Sequence, residues 1–186
     1  MRNKIDVRQK LVKKEDCVLV VIDVQDRLMP VICNKEAILQ NISRLIKFSQ
    51  LLDIPIVITE QEKLGSTLSG IIDEALKIHP TEKIHFDCFM SKEFEKIITQ
   101  LERKTLIIVG VEAHICVTQT ALHALPEFNV HVVEDAIGSR TAENRNIAIE
   151  RMRQAGAIIT STEMFIYEIL QRAGTDKFKV ALQLVK

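Results

Sequence analysis

The sequence predicts an α/β fold: a three-layer αβα sandwich on a mostly parallel central sheet of about six strands, Rossmann-like in plan. Three observations predict it. Short, near-continuous apolar runs recur along the chain, as strands covered on both faces require. Segments with apolar residues at helical spacing separate those runs. No linker, internal repeat or low-complexity stretch interrupts the alternation, so residues 1–186 read as a single domain.

Taken in order, Cys17–Asp23 is an apolar strand ending in an acid. Val31–Leu52 carries Ile38, Ile42, Leu45, Ile46 and Leu52 at helical spacing. Pro55–Thr59 is the second strand, and Gln61–Gly70 is a loop rich in Gly, Ser and Thr. Ile71–Leu76 reads as a short helix, Lys83–Phe86 as a short strand and Lys92–Leu101 as a helix. Thr105–Val109 is a buried strand that Gly110 ends. A helical pattern starts near His114 and runs to Leu125. Val130–Glu134 is a strand, and Asn144–Gln154 is a helix stopped by Gly156. Ala157–Thr160 is the last strand and Glu163–Arg172 the last helix. The tail, Phe178–Val185, is apolar enough to pack on its own domain or on a neighbour.

Composition narrows the function. The chain is 47% hydrophobic, enough for a real core, and its 25 basic and 25 acidic residues cancel. A balanced charge argues against a nucleic-acid binder, which needs a basic face. It also opposes association weakly. No run is long enough to span a membrane. There is no GxGxxG and no GxxxxGK[ST], which argues against a nucleotide cofactor. The cysteines, Cys17, Cys33, Cys88 and Cys116, form no CxxC pair and no zinc spacing, which fits a reducing, cytoplasmic compartment. Residues 1–14 carry six Lys or Arg and one Asp, and read as a solvated basic arm or a mitochondrial presequence.

Cys116 is the most informative residue. It falls in the first turn of a helix that begins at the carboxyl end of a strand. Free backbone N–H groups and the helix dipole there can favour a thiolate, the nucleophilic form. Asp23 closes the first strand at the same edge of the sheet, where open α/β sheets bind their ligands. Cys33 and Cys88 read as packing residues. His114 is a rival partner for Cys116, but side chains two apart at a helix start diverge.

Three stretches, Val-Ile-Asp23-Val-Gln25-Asp26, Glu82-Lys83-Ile84-His85-Phe86-Asp87-Cys88 and Gly110-Val111-Glu112-Ala113-His114-Ile115-Cys116, resemble the isochorismatase-like cysteine hydrolases. The resemblance runs from about Cys17 to Phe165 and includes Glu134–Arg140 and Ser161–Met164. It implies one pocket holding Asp23, Lys83 and Cys116. Cys116 is then the nucleophile on an amide or carbamoyl carbon, Asp23 the acid and base, and Lys83 the electrostatic support. It also implies a non-proline cis peptide at Val111–Glu112 that aims backbone N–H groups, Cys116's among them, at an oxyanion. Gln25, Phe86 and His114 are weaker candidates for contacting substrate, and Gln25 or Glu112 can equally serve the turns they sit in.

The chain departs from metal-binding relatives. Those carry an Asp-x-His pattern after the second strand, where this chain reads Thr59-Glu60-Gln61-Glu62-Lys63, with no histidine before His79. The expectation is therefore no metal and no cofactor, and a metal-free branch of the family acting on a small molecule. The retained cysteine argues against isochorismate itself, a vinyl ether whose cleavage needs no thiol. The resemblance also implies a homo-oligomer, with Met164–Leu170 a candidate interface. The competing reading is a non-catalytic or redox-sensing oligomer of the same fold.

Overall fold

Six parallel strands form one sheet in a computed structural model that describes residues 11–75 and 78–185. They are β1 (Cys17–Ile22), β2 (Ile56–Gln61), β3 (Thr81–Lys83), β4 (Thr105–Val111), β5 (Asn129–Gly138) and β6 (Ile158–Thr160). Their order is β3-β2-β1-β4-β5-β6, every neighbouring pair parallel. The helices among the described residues are α1 (Lys35–Leu51), α2 (Ser69–Glu74), α3 (Lys92–Gln100), α4 (Thr118–Ala124), α5 (Ala142–Ala155), α6 (Thr162–Leu170) and α7 (Asp176–Val185). Among the described residues no helix is long and apolar enough to cross a membrane.

Alternation along the strands builds two cores. Leu19, Val21, Ile107 and Val109 face α1, α2, α6 and α7. Val18, Val20, Ile22, Leu106 and Ile108 face α3, α4 and α5. Both faces of the sheet are covered, which is why β1 and β4 are apolar at successive positions. Strand order reverses between β1 and β4, so the crevice beyond their carboxyl ends is the expected binding position. Asp23 follows β1 and Cys116 follows β4.

The structure moves several boundaries. β3 is Thr81–Lys83, earlier than the predicted 83–86: Thr81 and Lys83 turn inward, and Ile84, His85 and Phe86 lie exposed beyond the strand. Gly110 lies inside β4 rather than ending it. Its φ is 110°, and a Cβ there would sit 2.1 Å from the Ile22 carbonyl oxygen, so only glycine lets β4 pass this close to the end of β1. β5 runs on to Gly138 through an irregular stretch: between the pairs Ile108↔Val132 and Gly110↔Ile137, β5 carries more residues than β4. The long first helix begins at Lys35, because Asn34 takes a left-handed φ of 56°, a conformation its short polar side chain tolerates. Of the expected 71–76 helix, Leu76 lies outside the described residues. The tail is a helix, α7, that packs on α1 and α6 of its own domain.

Residues 1–10 of the expected basic arm lie outside the described residues. The arm does not extend to Lys14 as a solvated segment: Val12 is buried, and its N–H donates to Glu168 Oε1 at 2.8 Å. In α6, Phe165 and Ile166 enter the core while Met164 and Tyr167 face outward, so the helix is amphipathic rather than apolar throughout.

Candidate active site

Three strand ends deliver three side chains to one point. Asp23 has a φ of 54°, which turns the chain sharply out of β1; aspartate is one of the few residues to take that conformation readily. Its backbone N–H donates to the Thr59 carbonyl at 3.2 Å, which ties the turn to β2. Lys83 ends β3, two strands away, and its long side chain spans the gap. Cys116 lies in a wide turn, Ala113–Val117, that precedes α4 and in which the Val117 N–H reaches back to the Glu112 carbonyl at 3.3 Å.

The Lys83 ammonium holds the group together. Nζ donates to Asp23 Oδ2 at 2.7 Å and approaches Cys116 Sγ at 3.6 Å. All three residues are buried: Asp23 is 0% exposed, Lys83 4% and Cys116 5%. A residue that sequence reasoning missed, Gln61, accepts the ammonium's other hydrogen bond through Oε1 at 2.8 Å. Thr59 Oγ1 donates to the second Asp23 oxygen at 2.8 Å. Neither announces itself in sequence, because both are ordinary polar residues at the end of an apolar strand.

Electrostatic effects at the three groups oppose one another. Burial pushes the Cys116 thiol up, and the Asp23 charge adds to that, against the pull of Lys83. Burial beside a carboxylate thus works against the thiolate that the helix start favours. Burial also pushes the Asp23 carboxyl above the usual carboxylate range, although Lys83 and its hydrogen bonds oppose the shift. For Lys83, burial would lower the ammonium, but the Asp23 charge and its hydrogen bond outweigh it and the shift is upward. The raised carboxyl is a stronger base than an ordinary aspartate, and it lies beside the thiol it would have to deprotonate.

The remaining candidates are placed as follows. Val111 is buried at the end of β4, and the Val111–Glu112 peptide is cis. Glu112 is 2% exposed and accepts from the Arg140 backbone N–H at 2.9 Å and from its guanidinium, with Nη2 at 2.6 Å. It thereby pins the turn after β4 to the loop after β5. His114 Nδ1 pairs with Ser139 Oγ at 3.0 Å, so its hydrogen bond goes to that loop and not to the sulfur. Gln25 is fully buried and commits both ends of its amide to backbone: Oε1 accepts from Gln61 N at 2.8 Å, and Nε2 donates to Gln61 O at 3.0 Å and Gly65 O at 2.6 Å. It clamps the loop after β2 from the turn after β1. Phe86 is 52% exposed beyond β3. Cys88 is a packing residue as expected, its thiol pushed up to about 12 by burial. Cys33 differs from expectation: it is exposed, with Sγ donating to the Arg140 carbonyl at 3.1 Å.

Beyond the apolar part of β2, Glu60 Oε1 is taken by the Thr67 N–H and hydroxyl at 2.6 and 2.7 Å. Among the described residues no group of three or more His, Cys, Asp or Glu is placed to hold a metal ion.

Comparison with known proteins gives a consistent answer. A family model described as the isochorismatase domain matches residues 17–164. A secreted isochorismatase effector, Isc1 of Phytophthora sojae, is 35% identical over 176 residues, covering 91% of this chain and 84% of its own. The structure of a MAR1 ribonuclease from Caenorhabditis elegans is 32% identical with a TM-score of 0.87, covering 94% of this chain and 91% of its own. The YcaC product of Escherichia coli, described as an octameric hydrolase of unknown specificity, is 21% identical with a TM-score of 0.87, covering 93% of this chain and 89% of its own.

Proposed function

The chain belongs to the isochorismatase family, and on that premise we propose that it hydrolyses a C–N bond of a small amide or carbamoyl compound through a covalent Cys116 thioester. The observation that carries this reading is the single ammonium of Lys83, in reach of both Asp23 and Cys116 at 2.7 and 3.6 Å. That geometry supports a proton moving from sulfur to carboxylate beside a fixed positive charge.

The steps balance as follows. Asp23 takes the thiol proton as Cys116 Sγ bonds to the carbonyl carbon, and the carbonyl π electrons move onto oxygen. Backbone N–H groups of the Cys116 turn, the cysteine's own among them, face that oxyanion. Collapse breaks the C–N bond, and the Asp23 proton goes to the departing ammonia or amine. Water then attacks the thioester with Asp23 again accepting a proton, the C–S bond breaks, and the thiol is restored. Lys83 keeps its proton throughout and stabilises whichever neighbour is anionic.

Burial supports a small substrate, since Cys116 is only 5% exposed. It weighs against the redox-sensor reading, because sensor thiols are low-pKa and accessible. The Caenorhabditis elegans relative's description favours a second reading, RNA cleavage. A net charge of zero supplies no general phosphate-binding face for it, and tight, salt-dependent RNA binding would be its signature. We also propose a homo-oligomer, supported by the octameric Escherichia coli relative.

The test is a panel of small amides and carbamoyl compounds with intact-mass detection of an acyl-enzyme. Wild type turns over at least one member and accumulates the adduct. Cys116→Ala and Asp23→Asn abolish turnover while the circular-dichroism spectrum is kept. Full activity in either variant sinks the proposal.

A further inference from the structure

We propose that Gln61 is a positioning residue for the nucleophile, fixing the Lys83 ammonium so that one N–H points at the Cys116 sulfur. This rests on the cysteine-hydrolase reading and deepens it.

A lysine ammonium has three donors and a flexible stem. Here two of them are held by Asp23 Oδ2 at 2.7 Å and Gln61 Oε1 at 2.8 Å, which fixes the direction of the third, toward Cys116 Sγ at 3.6 Å. Without Gln61 the ammonium keeps one strong acceptor and is free to rotate about it. β3, which carries Lys83, is a three-residue edge strand and a weak anchor by itself.

Gln61 is itself held at both its side chain and its backbone. Its Nε2 donates to the Ile84 carbonyl at 2.8 Å, just past Lys83. Its backbone N–H and carbonyl are both held by the buried Gln25 amide, at 2.8 and 3.0 Å. The amide orientation is fixed by chemistry, because the opposite flip would set an NH2 against an ammonium and a carbonyl against a carbonyl. One chain of hydrogen bonds thus runs from the turn after β1, through the end of β2, to the charge on β3.

Asp23 and Lys83 oppose each other at the sulfur, so the discriminating background is Asp23→Asn, where the ammonium is the charge that remains. The readout is the rate of Cys116 alkylation by iodoacetamide from pH 6 to 9, by peptide mass spectrometry, on proteins matched by melting temperature. In this background Gln61→Leu slows labelling about tenfold, the cost of a hydrogen bond to a charged group. Lys83→Met slows it more. The triple variant labels like Asp23→Asn/Lys83→Met, because Gln61 acts only through Lys83. A merely structural role gives losses that multiply instead. Gln61→Met, which keeps chain length and removes the acceptor, replaces Gln61→Leu if that variant does not fold. Unchanged labelling on loss of Gln61, or multiplied losses in the triple variant, overturns the positioning role alone. Unchanged labelling on loss of Lys83 overturns the cysteine-hydrolase reading beneath it.

Discussion

Asp23→Asn is expected to make Cys116 more reactive while destroying catalysis. Asp23 and Cys116 both touch one ammonium, at 2.7 and 3.6 Å, so the carboxylate lies within about 6 Å of the sulfur. At an effective dielectric near 20, unit charges about 6 Å apart interact by about 3 kcal/mol. Removing the negative member therefore raises the thiolate fraction roughly a hundredfold at a pH below the thiol's own range. Lys83 stays, and the thiolate takes the carboxylate's place as its partner. The assay is iodoacetamide labelling at pH 7, with the exposed Cys33 as internal reference. Turnover is lost all the same, because no group remains to carry the proton to the leaving amine. Breaking a buried pair costs about 3–5 kcal/mol, so the variant should melt lower than wild type at neutral pH, a deficit that shrinks in acid as wild-type Asp23 is itself protonated. Labelling of Cys116 in Asp23→Asn that is equal to or slower than wild type would refute this account of the site's electrostatics.

Gly110→Ala must push a Cβ into the Ile22 carbonyl at a positive φ, and is expected to cost about 3 kcal/mol or more, a fall of about 6–12 °C in melting temperature for a chain of this size. Wild-type melting would show that β4 relaxes freely there. Thr59→Val removes a hydrogen bond that lowers the Asp23 carboxyl, so the acid limb of kcat/KM on any substrate found moves to higher pH; movement to lower pH contradicts the assignment of Asp23 as base. For Glu112, burial would raise the carboxyl, but the Arg140 hydrogen bonds and charge outweigh it and hold the group below the usual carboxylate range. Its contribution to stability is then whole above the unfolded carboxyl's pKa and lost as pH falls through the folded one. Glu112→Gln should flatten the acid limb of a pH–melting curve, and an unchanged limb would remove Glu112 from the account.

Sequence pattern shows the layers because strands covered on both faces are buried at every position, as β1 and β4 are, and so read as nearly continuous apolar runs. It placed Asp23 and Cys116 because each lies one turn past such a run. Lys83 came from resemblance, since a three-residue edge strand with one inward lysine has no periodicity to read. The same shortness put β3 too late in the sequence. Gly110 reads as a strand end because glycine usually marks one; its role against Ile22 is a contact between residues 88 positions apart, which no local pattern carries. Gln61 and Thr59 stayed hidden for a related reason. Their importance lies in what Lys83 and Asp23 bring to them from other strands. The helix start that favours a thiolate is legible in sequence, whereas the burial beside a carboxylate that opposes it depends on three strands coming together.

The buried site carries a consequence for which molecules it can process. Ammonium, carboxylate and thiol sum to zero charge, and so do ammonium, carboxylic acid and thiolate. Proton transfer from Cys116 to Asp23 therefore adds no net charge to a region where all three side chains are nearly inaccessible to water. A neutral amide enters without changing that balance. A substrate bearing its own carboxylate at the reacting end would leave an uncompensated buried anion, which is costly. Hydrolysis converts the first kind of molecule into the second, since the product acid ionises. On the proposed reaction, the same charge balance that admits a neutral amide would disfavour the ionised product. Product carboxylates should accordingly inhibit weakly, and more weakly as pH rises above their own pKa; tight inhibition by the ionised acid would show that a further cation faces the pocket.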